Sequence, residues 1–114
     1  MATITSHTLN GTDGTHASGI KVTLTRLGHV NELIFETVMD ENGRLEQEVA
    51  ADQIDPNATY ELVFDTGSYW KQRHILGAIP QIVLRFLMPD ENAKYHMPVI
   101  LNPNSYSVWR SSND

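Results

Sequence analysis

Two histidines and two arginines are the residues of this chain whose types and positions fit catalysis. His7 lies in an alternating segment near the start, and His96 opens an apolar run near the end. Imidazole has an ordinary pKa close to neutrality, so both rings can accept and donate protons at physiological pH. Arg44 follows a turn, and Arg110 closes the last apolar segment. A guanidinium stays charged, and its planar fork matches carbonyl and anionic oxygens. Side chains of these types can carry acid–base chemistry, although nothing in the composition by itself indicates an enzyme.

Each of these side chains also has a structural explanation. A histidine on a half-apolar strand face is more often a hydrogen-bonded structural residue than a catalyst, and an arginine after a turn is usually solvated. His7 and His96 could instead share a metal ion, but neither belongs to a His-x-His or His-Glu-x-x-His pattern, and the chain has no cysteine. We therefore predict no metal site. A serine triad is disfavoured because no Gly-x-Ser-x-Gly motif is present.

Three further residues differ in their predicted surroundings. His16 lies in a turn-rich segment and is predicted to be solvent-exposed, whereas His74 is predicted to end a helix, where a cation suits the helix dipole. Arg110 alternates with Val108 and Tyr106, which predicts an inward-facing arginine. Such an arginine needs an anionic or carbonyl partner.

Alternating apolar and polar residues predict about seven β-strands. The segments are residues 3–9, 20–25, 33–38, 60–65, 82–87, 97–101 and 106–110. Turn-forming pairs such as Asn10-Gly11 separate them. Residues 66–74 lack alternation and are predicted to form a short helix, with Asp65 or Thr66 as its N-cap. Short strands at this spacing predict an all-β sandwich, and 114 residues suit one domain that spans residues 1–114.

The segment 97–101 is apolar on both of its faces. Met97, Val99 and Leu101 point to one side of the predicted strand, while Pro98 and Ile100 point to the other. In an antiparallel sandwich one strand face normally meets the core and the other meets water. A strand with two apolar faces therefore predicts a second buried surface, which in a domain of this size is a partner subunit. An exposed apolar patch is the alternative.

Composition argues against several classes of protein. The formal net charge is −6, from 14 acidic and 8 basic side chains, and the basic residues are scattered, so we expect no nucleic-acid partner. No apolar run approaches the ~20 residues of a membrane helix. The first residues lack the basic and apolar regions of a secretory signal. Because the chain has no cysteine, it also suits a reducing compartment, and we expect a cytoplasmic protein without a membrane partner.

Four segments, in the same order, resemble the 5-hydroxyisourate hydrolase family, the enzymatic relatives of transthyretin. Residues 6–10 (Ser-His-Thr-Leu-Asn) resemble the family's Ser/Thr-His-Val-Leu-Asp strand, and residues 42–44 (Asn-Gly-Arg) resemble its Asp-Gly-Arg turn. Residues 94–103 are similar to its His-Tyr-His-Val-Pro-Leu-Leu-Leu-Ser-Pro segment. Residues 106–112 are similar to its Tyr-Ser-Thr-Tyr-Arg-Gly-Ser ending. The resemblance therefore spans nearly the whole chain.

The resemblance implies a transthyretin-like β-sandwich of seven to eight strands that assembles as a homotetramer, with its sites between subunits. It implies hydrolysis of the ring amide of 5-hydroxyisourate, the product of urate oxidation, without a cofactor. His7 and His96 would jointly activate water and transfer protons, Arg44 would stabilise developing charge, and Arg110 would hold the substrate. The other tail residues implied in substrate binding are Trp109, Ser111 and Ser112.

The tail departs from the family pattern at two positions. Trp109 and Ser111 stand where the family has tyrosine and glycine, which removes a phenolic hydroxyl and adds bulk. Two other interpretations therefore stay open. The chain could be a non-catalytic transthyretin-like protein that binds a heterocyclic ligand, or a repurposed enzyme of this fold that acts on another intermediate. The retention of His7, Arg44 and His96 favours an enzyme.

Overall fold

Residues 1–111, which the computed structural model describes, form two four-stranded sheets packed face to face. Besides a 3-10 turn at Ala51–Gln53, these residues form α1 (Gly67–Gln72), β1 (Ala2–Asn10), β2 (Lys21–Arg26), β3 (Glu32–Val38), β4 (Arg44–Val49), β5 (Thr59–Asp65), β6 (Gln81–Leu87), β7 (Lys94–Leu101) and β8 (Tyr106–Val108). One sheet has the strand order β4-β1-β7-β8, and the other has the order β3-β2-β5-β6. The predicted all-β sandwich with one short helix is confirmed.

The core lies between the two sheets and takes every second residue of their strands. In β7, Met97, Val99 and Leu101 are fully buried, and in β5 Leu62 and Phe64 are fully buried as well. The residues between them in β7 are half-buried on the outer face of the first sheet. Because side chains alternate across a strand, this burial pattern confirms that Met97, Val99 and Leu101 face the core while Pro98 and Ile100 face outward. The predicted burial of the outer face by a partner subunit stays a prediction.

Strand β4 was not predicted, although every predicted strand overlaps an observed one. β4 reads Arg-Leu-Glu-Gln-Glu-Val, so only Leu45 and Val49 are apolar, and both are buried. The charged residues between them are exposed because β4 is an edge strand that pairs only with β1. Two apolar residues four positions apart are too weak a signal to predict a strand.

A bulge separates two residues of β3 that the alternation placed on one face. The pairing of β2 with β3 shifts between Leu24 and Thr25, so that Leu24 pairs with Phe35 and Thr25 pairs with Leu33. As a result Phe35 is 9% exposed whereas Leu33 is 57% exposed. An extra residue in one strand reverses the faces beyond it, and periodicity alone does not show where such a residue lies.

The helix is shorter than the predicted range of residues 66–74. Thr66 occupies the N-cap position, but its hydroxyl donates to the carbonyl oxygen of Ile79 at 3.4 Å rather than capping the helix. His74 lies beyond the helix with a left-handed φ of +57°, so the prediction that it ends the helix is wrong. Within residues 1–111, no helix has the length and apolarity needed to cross a membrane.

The predicted inward-facing surface of the last strand is also corrected. β8 ends at Val108, which is half-buried, whereas Tyr106 is 43% exposed and Arg110 is exposed. β8 is an edge strand that pairs only with β7, so nothing in the described chain covers its free side. Arg110 is therefore exposed among the described residues, and the contact of its guanidinium is with the ring of Tyr95 rather than with the anionic or carbonyl partner expected of a buried arginine.

Candidate active site

The outer face of the sheet β4-β1-β7-β8 brings together residues that the sequence predicted as catalytic. The antiparallel pairing of β1 with β4 sets His7 opposite Arg44, and the parallel pairing of β1 with β7 sets Thr5 opposite His96. Thr5 and His7 are two residues apart and share a face. Neighbouring strands lie about 4.8 Å apart and each residue adds about 3.3 Å along a strand, so the Cα atoms of His7 and His96 are about 8 Å apart. Strand register therefore gathers two imidazoles and a guanidinium on one surface.

A turn that contains Gly43 positions Arg44 at the start of β4, opposite His7. Gly43 has a φ of +67°, and a Cβ atom there would lie 2.6 Å from the carbonyl oxygen of Thr8. The Gly43 amide donates to the carbonyl oxygen of Asp40 at 2.9 Å, and Oδ1 of Asp40 accepts the Arg44 amide at 2.8 Å. Only glycine combines this backbone conformation with so close an approach, so the Asn-Gly-Arg sequence fixes where β4 begins.

A cavity of about 320 Å³ opens beside these strands. Its volume lies at the small end of ligand sites, which suits a small heterocycle. Most of the side chains that line it are polar, among them Thr5, Asp40, Arg44, Glu46, Lys94 and His96. Across residues 1–111, no group of three or more His, Cys, Asp or Glu side chains is placed to hold a metal ion.

His96 is half-buried at this cavity and contacts Thr5. Its Nδ1 lies 2.8 Å from Oγ1 of Thr5, and its backbone carbonyl accepts the amide of Ser111 at 2.8 Å. Burial lowers the pKa of His96, and the positive charges of Lys94 and Arg44 lower it further, against a smaller opposing effect of the Thr5 backbone. His96 therefore stays neutral over a wider pH range and can accept a proton at neutral pH.

His7 is half-buried next to Arg44 and contacts a histidine that the sequence analysis set aside. Nε2 of His7 lies 2.8 Å from Nδ1 of His16. Burial is the largest cause that lowers the pKa of His7, followed by the charges of Arg44 and His16, with a smaller contribution from His96. The backbone of Asn42 opposes these effects. His7 is thus also neutral at physiological pH, although it does not line the cavity itself.

The tail residues lie near the site without lining the cavity. Ser111 forms an isolated β-bridge with His96, and Trp109 is 43% exposed. The guanidinium carbon of Arg110 lies 5.0 Å from the centroid of the Tyr95 ring, which is a cation–π contact. The predicted role of Arg110 in holding substrate stays a prediction. Ser112 lies outside the described residues.

Several polar residues at this site were not predicted from the sequence. Thr5 shares a strand face with His7, and this alternation was the one signal that could have found it. Glu46 lies on the unpredicted strand β4, two residues after Arg44 and on the same face. His16 lies in the loop between β1 and β2 and contacts His7. No periodicity in the sequence indicates this contact.

Comparison with known proteins identifies the family. A model of the HIUase/Transthyretin family matches residues 4–111. The chain belongs to this family. A 5-hydroxyisourate hydrolase of Pseudomonas aeruginosa is 35% identical to it, over 98% of this chain and 93% of the relative. A 5-hydroxyisourate hydrolase of Mus musculus is 33% identical, over 96% of this chain and 94% of the relative.

A solved structure of the HIUase/Transthyretin family gives the same result for the fold. The structure of Klebsiella pneumoniae 5-hydroxyisourate hydrolase matches this chain with a TM-score of 0.82 and 27% sequence identity, covering 98% of this chain and 100% of that one. The resemblance and the transthyretin-like sandwich expected from the sequence are confirmed. The family match includes the positions of His7, Arg44, His96 and Arg110.

Proposed function

We propose that this chain hydrolyses the ring amide of 5-hydroxyisourate, the compound named in its relatives, as a step in urate breakdown. The observation that supports this most strongly is the single sheet face that carries Arg44, His7 and His96 beside a small polar cavity. We further propose a cytoplasmic location, which agrees with a chain that has no cysteine.

The chemistry of amide hydrolysis assigns a task to each of these groups. Water adds to the carbonyl carbon, the bond to the ring nitrogen breaks, and a carboxylate and an N–H group result. A neutral imidazole accepts the proton of the attacking water and returns a proton to the leaving nitrogen, and His7 and His96 share these transfers. The guanidinium of Arg44 stabilises the negative charge that develops on the carbonyl oxygen. This route requires no cofactor.

The test of this proposal is the decay of freshly generated 5-hydroxyisourate, followed by its ultraviolet absorbance with and without the protein. The decay is expected to be faster with the protein. Because both histidines have a pKa below the ordinary 6.5, their neutral form persists into mildly acidic solution. The protein-dependent rate should therefore be constant in alkaline and neutral solution and fall on acidification, with the midpoint of the fall below pH 6.5. Decay at the spontaneous rate would contradict the proposal.

We also propose that the chain assembles as a homotetramer with its sites between subunits, as the resemblance implies. The outer face of β7 supports this, because Pro98 and Ile100 are apolar, only half-buried within the single chain, and adjacent to the candidate site. Leu9 pairs with Ile100 on the same face and extends the apolar surface. In this arrangement the substrate is proposed to be held at the subunit boundary by the tail residues Trp109, Arg110, Ser111 and Ser112.

Replacing Ile100 with lysine is expected to weaken this assembly, because the ammonium would be buried at the interface without a partner. Light scattering at micromolar concentration should give a tetramer for the wild type and smaller species for Ile100→Lys. Val38→Lys is a matched control, because Val38 is 57% exposed on β3 at the edge of the other sheet. The Val38→Lys variant should have the same assembly mass in solution as the wild type. A wild-type mass near 12.8 kDa would contradict the tetramer.

A further inference from the structure

The loop between β1 and β2 folds back along β1 and sets His16 beside His7. His16 forms an antiparallel bridge with Leu9. The amide of Ala17 donates to the carbonyl oxygen of Thr8 at 2.9 Å, and the buried hydroxyl of Thr8 donates to the carbonyl oxygen of Ala17 at 2.6 Å. These bonds attach the backbone next to His16 to the strand that carries His7. The contact between the two rings is therefore held by main-chain structure.

The geometry of the two rings is that of a hydrogen bond between nitrogens. Nε2 of His7 and Nδ1 of His16 are 2.8 Å apart, and the ring centroids are 4.9 Å apart with an angle of 35° between the ring planes. Two N–H groups facing each other at this distance would repel, and two lone pairs would form no bond. One proton therefore lies between the two nitrogens. His7 is half-buried whereas His16 is exposed, so the pair connects the site with water.

We propose that His16 is a positioning residue for His7, which it holds through Nε2 and with which it shares one proton. The shared proton fixes the orientation of the His7 ring, and the hydrogen bond cannot persist if both facing nitrogens carry protons. The inference rests on the proposed function in one respect, because it takes His7 to be a proton-transfer group of the hydrolysis. Since a neutral amide becomes an ionised carboxylate, each turnover also releases one proton, and His16 offers His7 a hydrogen-bonded contact with solvent.

The charged groups around His7 are consistent with this role. Arg44 faces His7 from β4, His96 from β7, and His16 from the loop, and each of them lowers the pKa of His7. The opposing contribution comes from the backbone of Asn42. Removal of the His16 ring would take away its electrostatic effect on His7 and expose more of the His7 ring to water. The pKa of His7 should then rise, and its ring should lose a fixed orientation.

The experiment compares His16→Ala, His16→Asn and the control His29→Ala in the full chain. An asparagine amide can take the place of Nδ1 of histidine in the hydrogen bond to His7, but it does not titrate. His29 is exposed and is not among the groups that affect His7. The first measurement is the NMR titration of the histidine ring nitrogens, which needs no substrate. The second is the dependence of kcat and KM for 5-hydroxyisourate on pH.

The His7 titration in His16→Ala is expected to move toward the ordinary value, while His29→Ala leaves it unchanged. At neutral pH kcat should fall about tenfold in His16→Ala with KM within about twofold, because a proton-transfer group loses part of its effect when it is not held in position. His16→Asn should recover most of kcat but not the wild-type pH profile. An unchanged His7 titration in His16→Ala would overturn the inference, whether or not the protein is active. If the His7 titration shifts in His16→Ala while the wild-type protein does not accelerate the decay of 5-hydroxyisourate, the pairing is supported and the proposed function is refuted.

Discussion

Replacing His96 with alanine is expected to lower kcat/KM for 5-hydroxyisourate by at least about a hundredfold, as for the loss of a positioned acid–base group. A hundredfold loss corresponds to about 2.7 kcal/mol of transition-state stabilisation. His96 lines the cavity, its pKa is lowered by burial and by Lys94 and Arg44, and its Nδ1 lies 2.8 Å from the Thr5 hydroxyl. His7→Ala should cause a loss of similar size. Stopped-flow absorbance measurements on fresh substrate would provide the rates.

Two controls separate the chemistry of His96 from its structural role. The backbone carbonyl of His96 accepts the Ser111 amide, and alanine keeps this main-chain bond, so thermal unfolding should change little. Thr5→Val removes the hydroxyl that contacts Nδ1 while it keeps the ring, and it should reduce the rate less than His96→Ala does. If His7→Ala and His96→Ala both retain wild-type rates, the two histidines are structural and the proposed mechanism is wrong.

Replacing Arg44 with alanine is the second change for which we expect a loss of about a hundredfold or more, because removal of a group that stabilises a developing oxyanion typically costs this much. Among residues 1–111, no carboxylate lies within ion-pair distance of the Arg44 guanidinium, so its charge is available to a substrate in the cavity. The loss should appear in kcat, since the negative charge develops in the transition state.

Arg44→Lys should recover only part of the lost activity, because an ammonium keeps the charge but not the planar pair of donors. Arg85→Ala is the matched control. Arg85 is an exposed arginine on β6 of the other sheet, where it pairs with Glu61 at 2.9 Å, and its loss should leave kcat unchanged. Full activity in Arg44→Lys would show that charge alone is sufficient, and full activity in Arg44→Ala would remove Arg44 from the mechanism.

The sequence determined most of the fold because most strands alternate strongly. Segments such as residues 60–65 and 97–101 bury every second residue, and a period of two is a direct consequence of strand geometry. The turn before Arg44 was also predicted from the sequence, and the positive φ and the close approach at Gly43 explain why glycine is required there. The strand β4 that follows the turn was not predicted. His7, Arg44 and His96 were predicted as site residues because the short segments around them resemble segments of the 5-hydroxyisourate hydrolase family.

Only the tertiary structure decided which of these residues meet. His7, Arg44 and His96 share one face because β1 pairs with β4 and β7 in a particular register, and register depends on contacts between distant segments. The contact between His16 and His7 requires a folded loop, and the exposure of Arg110 follows from the short edge strand β8. The strand register, the contact between His16 and His7 and the exposure of Arg110 arise from pairing between distant parts of the chain. No local periodicity or composition of the sequence predicts them.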